Sequence, residues 1–126
     1  MNRRKILLAD GDEPVRKMLS RVLESAGYEA VLARDIPEAM EQVQAARPDL
    51  LLLDMENPSQ QSLLQPLREA EPDLPVILMT GWRSGANRAL RESSGPVLEK
   101  PLDLGLLLQR IEELLRPALS AEGRGA

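Results

Sequence analysis

A chain of 126 residues is the size of one domain with one core, and 43% apolar residues with only 2% aromatics require that core to be aliphatic. The 16 Lys and Arg against 20 Asp and Glu leave a net charge of −4, the opposite of the basic surface with which a nucleic-acid binder neutralises phosphates. With no cysteine and no histidine, disulfides, thiolate or imidazole zinc sites and histidine-based triads are excluded.

The start, Met1-Asn2-Arg3-Arg4-Lys5, is basic, but the apolar run behind it ends at Asp10, too short for a signal peptide or a membrane span. The expected location is therefore cytoplasmic, with no membrane partner. Lys5–Ala9 reads as the first strand. Asp12 begins the first helix as an N-cap, with Glu13 and Pro14 behind it. Val15, Met18, Leu19, Val22 and Leu23 give that helix an apolar stripe, closed by Gly27. Tyr28–Leu32 is the second strand. The second helix runs from Pro37 through Ala39, Met40, Val43 and Ala46 and stops before Pro48.

Leu50–Leu53 and Val76–Met79 are the third and fourth strands, and Val97–Leu98 is a short fifth. Lys5–Ala9, Leu50–Leu53 and Val76–Met79 are continuous rather than alternating, the pattern of strands buried on both faces of a parallel sheet. Pro66 falls in the third helical segment, where an interior proline costs about 3 kcal/mol unless the helix kinks or starts there. The last helix carries Leu104, Leu107, Leu108, Ile111, Leu114 and Leu115, with Asp103 near its start and Pro117 past its end. Leu102 and Leu106 lie outside this stripe and are available to a partner-facing patch. A domain over 3–117 and a small, polar, flexible tail over 118–126 are expected.

Strands and helices thus alternate along the chain, predicting an α/β fold: a doubly wound five-stranded parallel sheet with helices on both faces. Such sheets bind ligands beyond the carboxyl ends of their strands, near the point where strand order reverses. Asp10, Asp54, Thr80 and Lys100 follow the first, third, fourth and fifth strands, so all four are expected to converge on one edge.

The segments Ile6-Leu7-Leu8-Ala9-Asp10, Pro48 to Asp54, Pro75 to Gly81, and Lys100-Pro101 together resemble the receiver domain of two-component response regulators, the CheY-like form of the flavodoxin-like architecture. The resemblance covers roughly Lys5 to Arg116. It implies a signalling switch rather than an enzyme, in which Asp54 accepts a phosphoryl group from a sensor histidine kinase, a phosphotransfer protein or a small acyl phosphate. It further implies Mg²⁺ held by Asp10, Asp54 and the backbone carbonyl of Glu56, with Thr80 and Lys100 contacting the phosphoryl group and a cis Lys100–Pro101 peptide. A carboxylate is a competent nucleophile toward phosphorus, and the transfer needs mainly positioning and charge neutralisation.

Four departures bear on function. Gly11 stands where the family usually has a second acidic residue, which removes a metal ligand and predicts a weakened site; water can replace the ligand, since Mg²⁺ tolerates several. Ser59-Gln60-Gln61-Ser62 follows Pro58 where Asp-Gly is usual, and Gly85, Ser93, Ser94, Gly95 and Pro96 weaken the segment before Lys100. Val97 occupies the place of the family's aromatic rotamer switch. Trp82, two residues past Thr80, is a candidate shield for the phosphoryl site.

Two functions follow from the resemblance. One is a phosphorylatable receiver that signals by altered binding to a downstream protein, with a homodimer through the last helix as a further option. The other is a pseudo-receiver, a phosphorylation-independent protein–protein interaction module. A flavin- or nucleotide-binding enzyme fits poorly, because the turn Ala9-Asp10-Gly11-Asp12 is acidic and lacks a glycine-rich amide cradle.

Overall fold

The computed structural model describes residues 3–55, 64–81 and 96–116. Within them run β1 (Lys5–Ala9), α1 (Glu13–Ser25), β2 (Glu29–Ala33), α2 (Ile36–Ala46), β3 (Leu50–Asp54), α3 (Leu64–Ala70), β4 (Val76–Thr80), β5 (Val97–Glu99) and α4 (Leu104–Leu115). Expectations placed on Glu56, residues 57–62, Trp82, the segment before Pro96, Pro117 and the tail at 118–126 lie outside the described residues.

The strands form one parallel sheet in the order β2-β1-β3-β4-β5. The chain leaves β1 for β2 on one side and returns to β3 on the other, so strand order reverses between β1 and β3, where Asp10 and Asp54 stand. The central strands are buried almost throughout, as their unbroken apolar runs require. The edge strands β2 and β5 mix buried with more accessible residues.

Alternation of side chains splits the core in two. Leu7, Leu51, Leu53 and Leu78 face α2 and α3 through Val43, Leu64 and Leu67. Ile6, Leu8, Leu52 and Ile77 face α1 and α4 through Leu19, Leu23, Leu107 and Ile111. Helices therefore cover both sides of the sheet.

Local chemistry sets the helix bounds. Asp12 caps α1, its carboxylate accepting from the Val15 N–H at 3.1 Å, and Asp35 and Asp103 cap α2 and α4 in the same way. Gly27 has φ of 97°, the left-handed conformation that lets the chain turn from α1 into β2. Pro66 is the third residue of α3.

Several sequence expectations need correction. The second strand begins one residue later than expected, at Glu29, and extends to Ala33. Met18 and Leu114, read as stripe residues, are 42% and 36% exposed because they lie at the margin of each helix's buried face. Leu102, read as outside the stripe, packs against the α1/α4 half of the core, whereas Leu106 is exposed as expected.

Candidate functional site

Asp10 continues β1 by one residue: its N–H donates to the Ala33 carbonyl at 3.1 Å, which turns the carboxylate inward at the strand tip. The residue is only 1% exposed. Oδ1 accepts from the Asp12 N–H at 2.8 Å, and Oδ2 lies 3.2 Å from Lys100 Nζ. Its backbone carbonyl accepts from Arg16 Nη1 at 2.6 Å. A buried carboxylate without such partners would be strongly unfavourable.

Asp54 is the last residue of β3, and its Oδ1 stands 2.9 Å from Lys100 Nζ. Thr80, the last residue of β4, is fully buried. It is tied to the same corner by its carbonyl, which accepts from the Lys100 N–H at 2.8 Å. Lys100 precedes a cis peptide bond to Pro101. The ammonium thus bridges two carboxylates from different strands. Burial works to lower the Lys100 pKa, but hydrogen bonding and charge from Asp54, and then from Asp10, outweigh it and hold the group above its ordinary value.

Of the residues singled out in the sequence, Asp10, Asp54 and Lys100 are in direct contact, and strand register sets Thr80 at the adjoining tip. Gly11 is exposed and lines a recess of about 40 Å³ together with Asp10 and Asp54. Sequence reasoning missed Arg16 and Arg34. Arg16 is nearly buried and holds the Asp10 turn; Arg34 follows β2 and lines the recess. Their position was signalled only by helical spacing from Asp12 and by adjacency to the second strand, neither of which distinguishes them from surface arginines.

The donors suit a hard cation, since both carboxylates offer oxygen. Yet no group of three or more His, Cys, Asp or Glu that could hold a metal occurs among the described residues. Lys100 already neutralises part of the charge of the two acids that are present. No helix among the described residues is long and apolar enough to cross a membrane.

Comparison with known proteins agrees with this geometry. A family model described as the response regulator receiver domain matches residues 6–112. The chain is 40% identical over 116 residues to the response regulator MprA of Mycobacterium leprae (strain TN), covering 89% of this chain and 51% of that protein. It is 35% identical over 125 residues to MprA of Mycolicibacterium vanbaalenii, covering 96% and 54%. The chain spans about half the length of these curated relatives.

Among solved structures, a two-component response regulator from Clostridium difficile superposes with a TM-score of 0.81 at 27% identity, covering 92% of this chain and 98% of that one. A CheY-like receiver domain protein from Methanospirillum hungatei gives a TM-score of 0.80 at 26% identity, covering 90% and 94%.

Proposed function

The chain belongs to the response regulator receiver domain family, and from that premise we propose that it accepts a phosphoryl group on Asp54 and signals by altered partner binding. The observation that carries this reading is the Lys100 ammonium set 2.9 Å from Asp54 and 3.2 Å from Asp10 at the strand-order reversal. An Asp54 carboxylate oxygen forms a new bond to phosphorus while the bond from phosphorus to the donor breaks, the leaving group departing with its electron pair. Lys100 then exchanges its carboxylate partner for the phosphoryl oxygens, and Thr80 supplies a hydroxyl at the neighbouring strand tip.

Phosphorylation and Mg²⁺ are general features of this family. In the proposal Asp10, Asp54 and the Glu56 carbonyl hold the ion, which when bound neutralises charge on the phosphoryl oxygens. With Gly11 in place of an acid, its affinity is expected to fall at least ~10-fold, by analogy with the loss of a supporting ligand contact. The donor is a sensor histidine kinase, a phosphotransfer protein or a small acyl phosphate. The downstream contact, a separate protein or a second copy of the chain, is assigned to α4 and β5, where Leu106 and Leu114 border a shallow groove with Arg110 and Glu113. The working unit is taken as residues 3–117, with 118–126 as a tail.

A second reading, a phosphorylation-independent interaction module, draws on Gly11 and on the pairing of both acids by Lys100. The two separate in one experiment. Incubation with acetyl phosphate and Mg²⁺ is expected to add the mass of one phosphoryl group, and Asp54→Asn to abolish the addition. No mass shift at high millimolar Mg²⁺ would leave the interaction module as the better account.

A further inference from the structure

The recess lined by Gly11 has an arginine at its margin that the family reading does not use. Arg34 lines it beside Asp10, Gly11, Asp35 and Asp54. It follows Ala33, whose carbonyl receives the Asp10 N–H at 3.1 Å, so the two residues occupy adjoining strand tips. One guanidinium nitrogen, Nη2, lies 3.3 Å from Glu38 Oε2, while the Arg34 backbone N–H donates separately to Glu38 Oε1 at 2.8 Å. Both side chains reach solvent, Arg34 at 74% exposure, and exposed pairs of this type are weak.

We propose that Arg34 is the second cation of this site: it leaves Glu38 to grip the phosphate group of a small acyl phosphate seated in the Gly11 recess, reducing the site's dependence on a divalent cation. Charge supports the assignment. Among the described residues, Asp10 and Asp54 bring two negative charges and Lys100 offsets one, while the nearby Arg16 is paired with Glu13, so an entering phosphate dianion meets net negative charge. Arg34 cancels the remaining charge. Asp35 also lines the recess, but its Oδ1 accepts from the Glu38 N–H at 2.8 Å, so the N-terminus of α2 compensates it. Guanidinium binds phosphate through two parallel hydrogen bonds, a stronger contact than an exposed carboxylate pair. The lost acid at position 11 serves the same end, since it removes a negative charge from the path of the anion.

The transfer half of this inference rests on Asp54 as phosphoacceptor; the anion-binding half does not. In the transfer, Asp54 bonds to phosphorus, the phosphorus–acyl oxygen bond breaks, and the carboxylate leaves with the electron pair. Arg34 holds the phosphoryl oxygens throughout.

The test uses the full chain and its Arg34→Ala, Arg34→Lys and Glu38→Gln variants in two assays. Inorganic phosphate is titrated without divalent cations while the Gly11 and Asp54 amide resonances are followed. Phosphorylation from acetyl phosphate is then resolved into KM and kcat. Arg34→Ala is expected to weaken phosphate binding and raise KM roughly ten-fold. Arg34→Lys should recover part of the loss, and Glu38→Gln should tighten binding by freeing the guanidinium. Equal phosphate affinity and equal KM in wild type and Arg34→Ala would overturn the role of Arg34 even if Asp54 is phosphorylated. Should wild type take no phosphoryl group while phosphate binding still depends on Arg34 and Glu38, the anion site stands and the phosphoacceptor reading fails. Because Arg34 is exposed, unchanged thermal unfolding of each variant is the control for fold.

Discussion

Lys100 sets the electrostatic balance of the strand-tip site, because the partly buried Asp54 and the buried Asp10, 2.9 and 3.2 Å from one ammonium, would otherwise repel each other across a poorly solvated corner. Its raised pKa fixes the sign of the linkage. A lysine that gains partners on folding contributes stability fully present below its unfolded pKa and lost as pH rises through the folded one. Lys100→Met is therefore expected to lower stability by about 1–2 kcal/mol at neutral pH, after discounting for a side chain 27% exposed. The difference from wild type should stay constant through the neutral range and shrink only above the ordinary lysine value of 10.5. Chemical denaturation of both proteins across alkaline pH measures this; a difference that disappears already near neutrality would contradict the assignment. Arg16 acts on the same corner from beneath, through the Asp10 carbonyl rather than the carboxylate. Its role was invisible in sequence because nothing in the spacing of a helical arginine says that its guanidinium turns back over the preceding strand tip.

At the scale of single elements, ends proved more legible than faces. Asp12 and Asp103, both read from the sequence at helix starts, each cap a helix through a side-chain bond to an N–H of the first turn, chemistry that depends only on neighbours in the chain; Asp35, not singled out in the sequence, does the same for α2. Gly27 is a local feature too. Its φ of 97° penalises any side chain, while a methyl group placed there would meet open space, so Gly27→Ala is expected to cost about 1 kcal/mol through the backbone alone. A urea unfolding curve reads that cost, and Gly27→Asn should recover part of it, since asparagine tolerates the left-handed region better. The buried limits of each helical stripe were less legible. Met18 and Leu114 keep apolar spacing yet stay partly exposed, while Leu102 lies before α4 and still reaches the core. Periodicity gives the direction of a face, but its width depends on how closely the neighbouring layer approaches.

At the scale of the molecule, the sheet divides the aliphatic core into two halves, each closed among the described residues by two helices. With so few aromatics, stability rests on many leucine contacts, and the two faces of α4 should respond very differently. Leu107 is fully buried against β1, β3 and β4 side chains of its half-core, so Leu107→Ala is expected to cost about 2–5 kcal/mol. Leu106→Ser, one residue away on the exposed side, should stay within about 0.5 kcal/mol. Thermal unfolding of the pair checks the orientation of the helix, and equal losses would mean that α4 is rotated.

The alternation of strands and helices, the three buried central strands, and the placement of Asp10, Asp54, Thr80 and Lys100 at strand ends were all legible in the residue order. These follow from local propensity and from an order in the chain that parallel crossovers convert into one shared edge. That one ammonium bridges Asp10 and Asp54, that Arg16 grips the Asp10 turn, and that Arg34 borders the Gly11 recess emerged from the folded arrangement. Contacts between strand tips separated by dozens of residues depend on register, twist and rotamer, which are set when the sheet packs and leave no periodic trace along the chain.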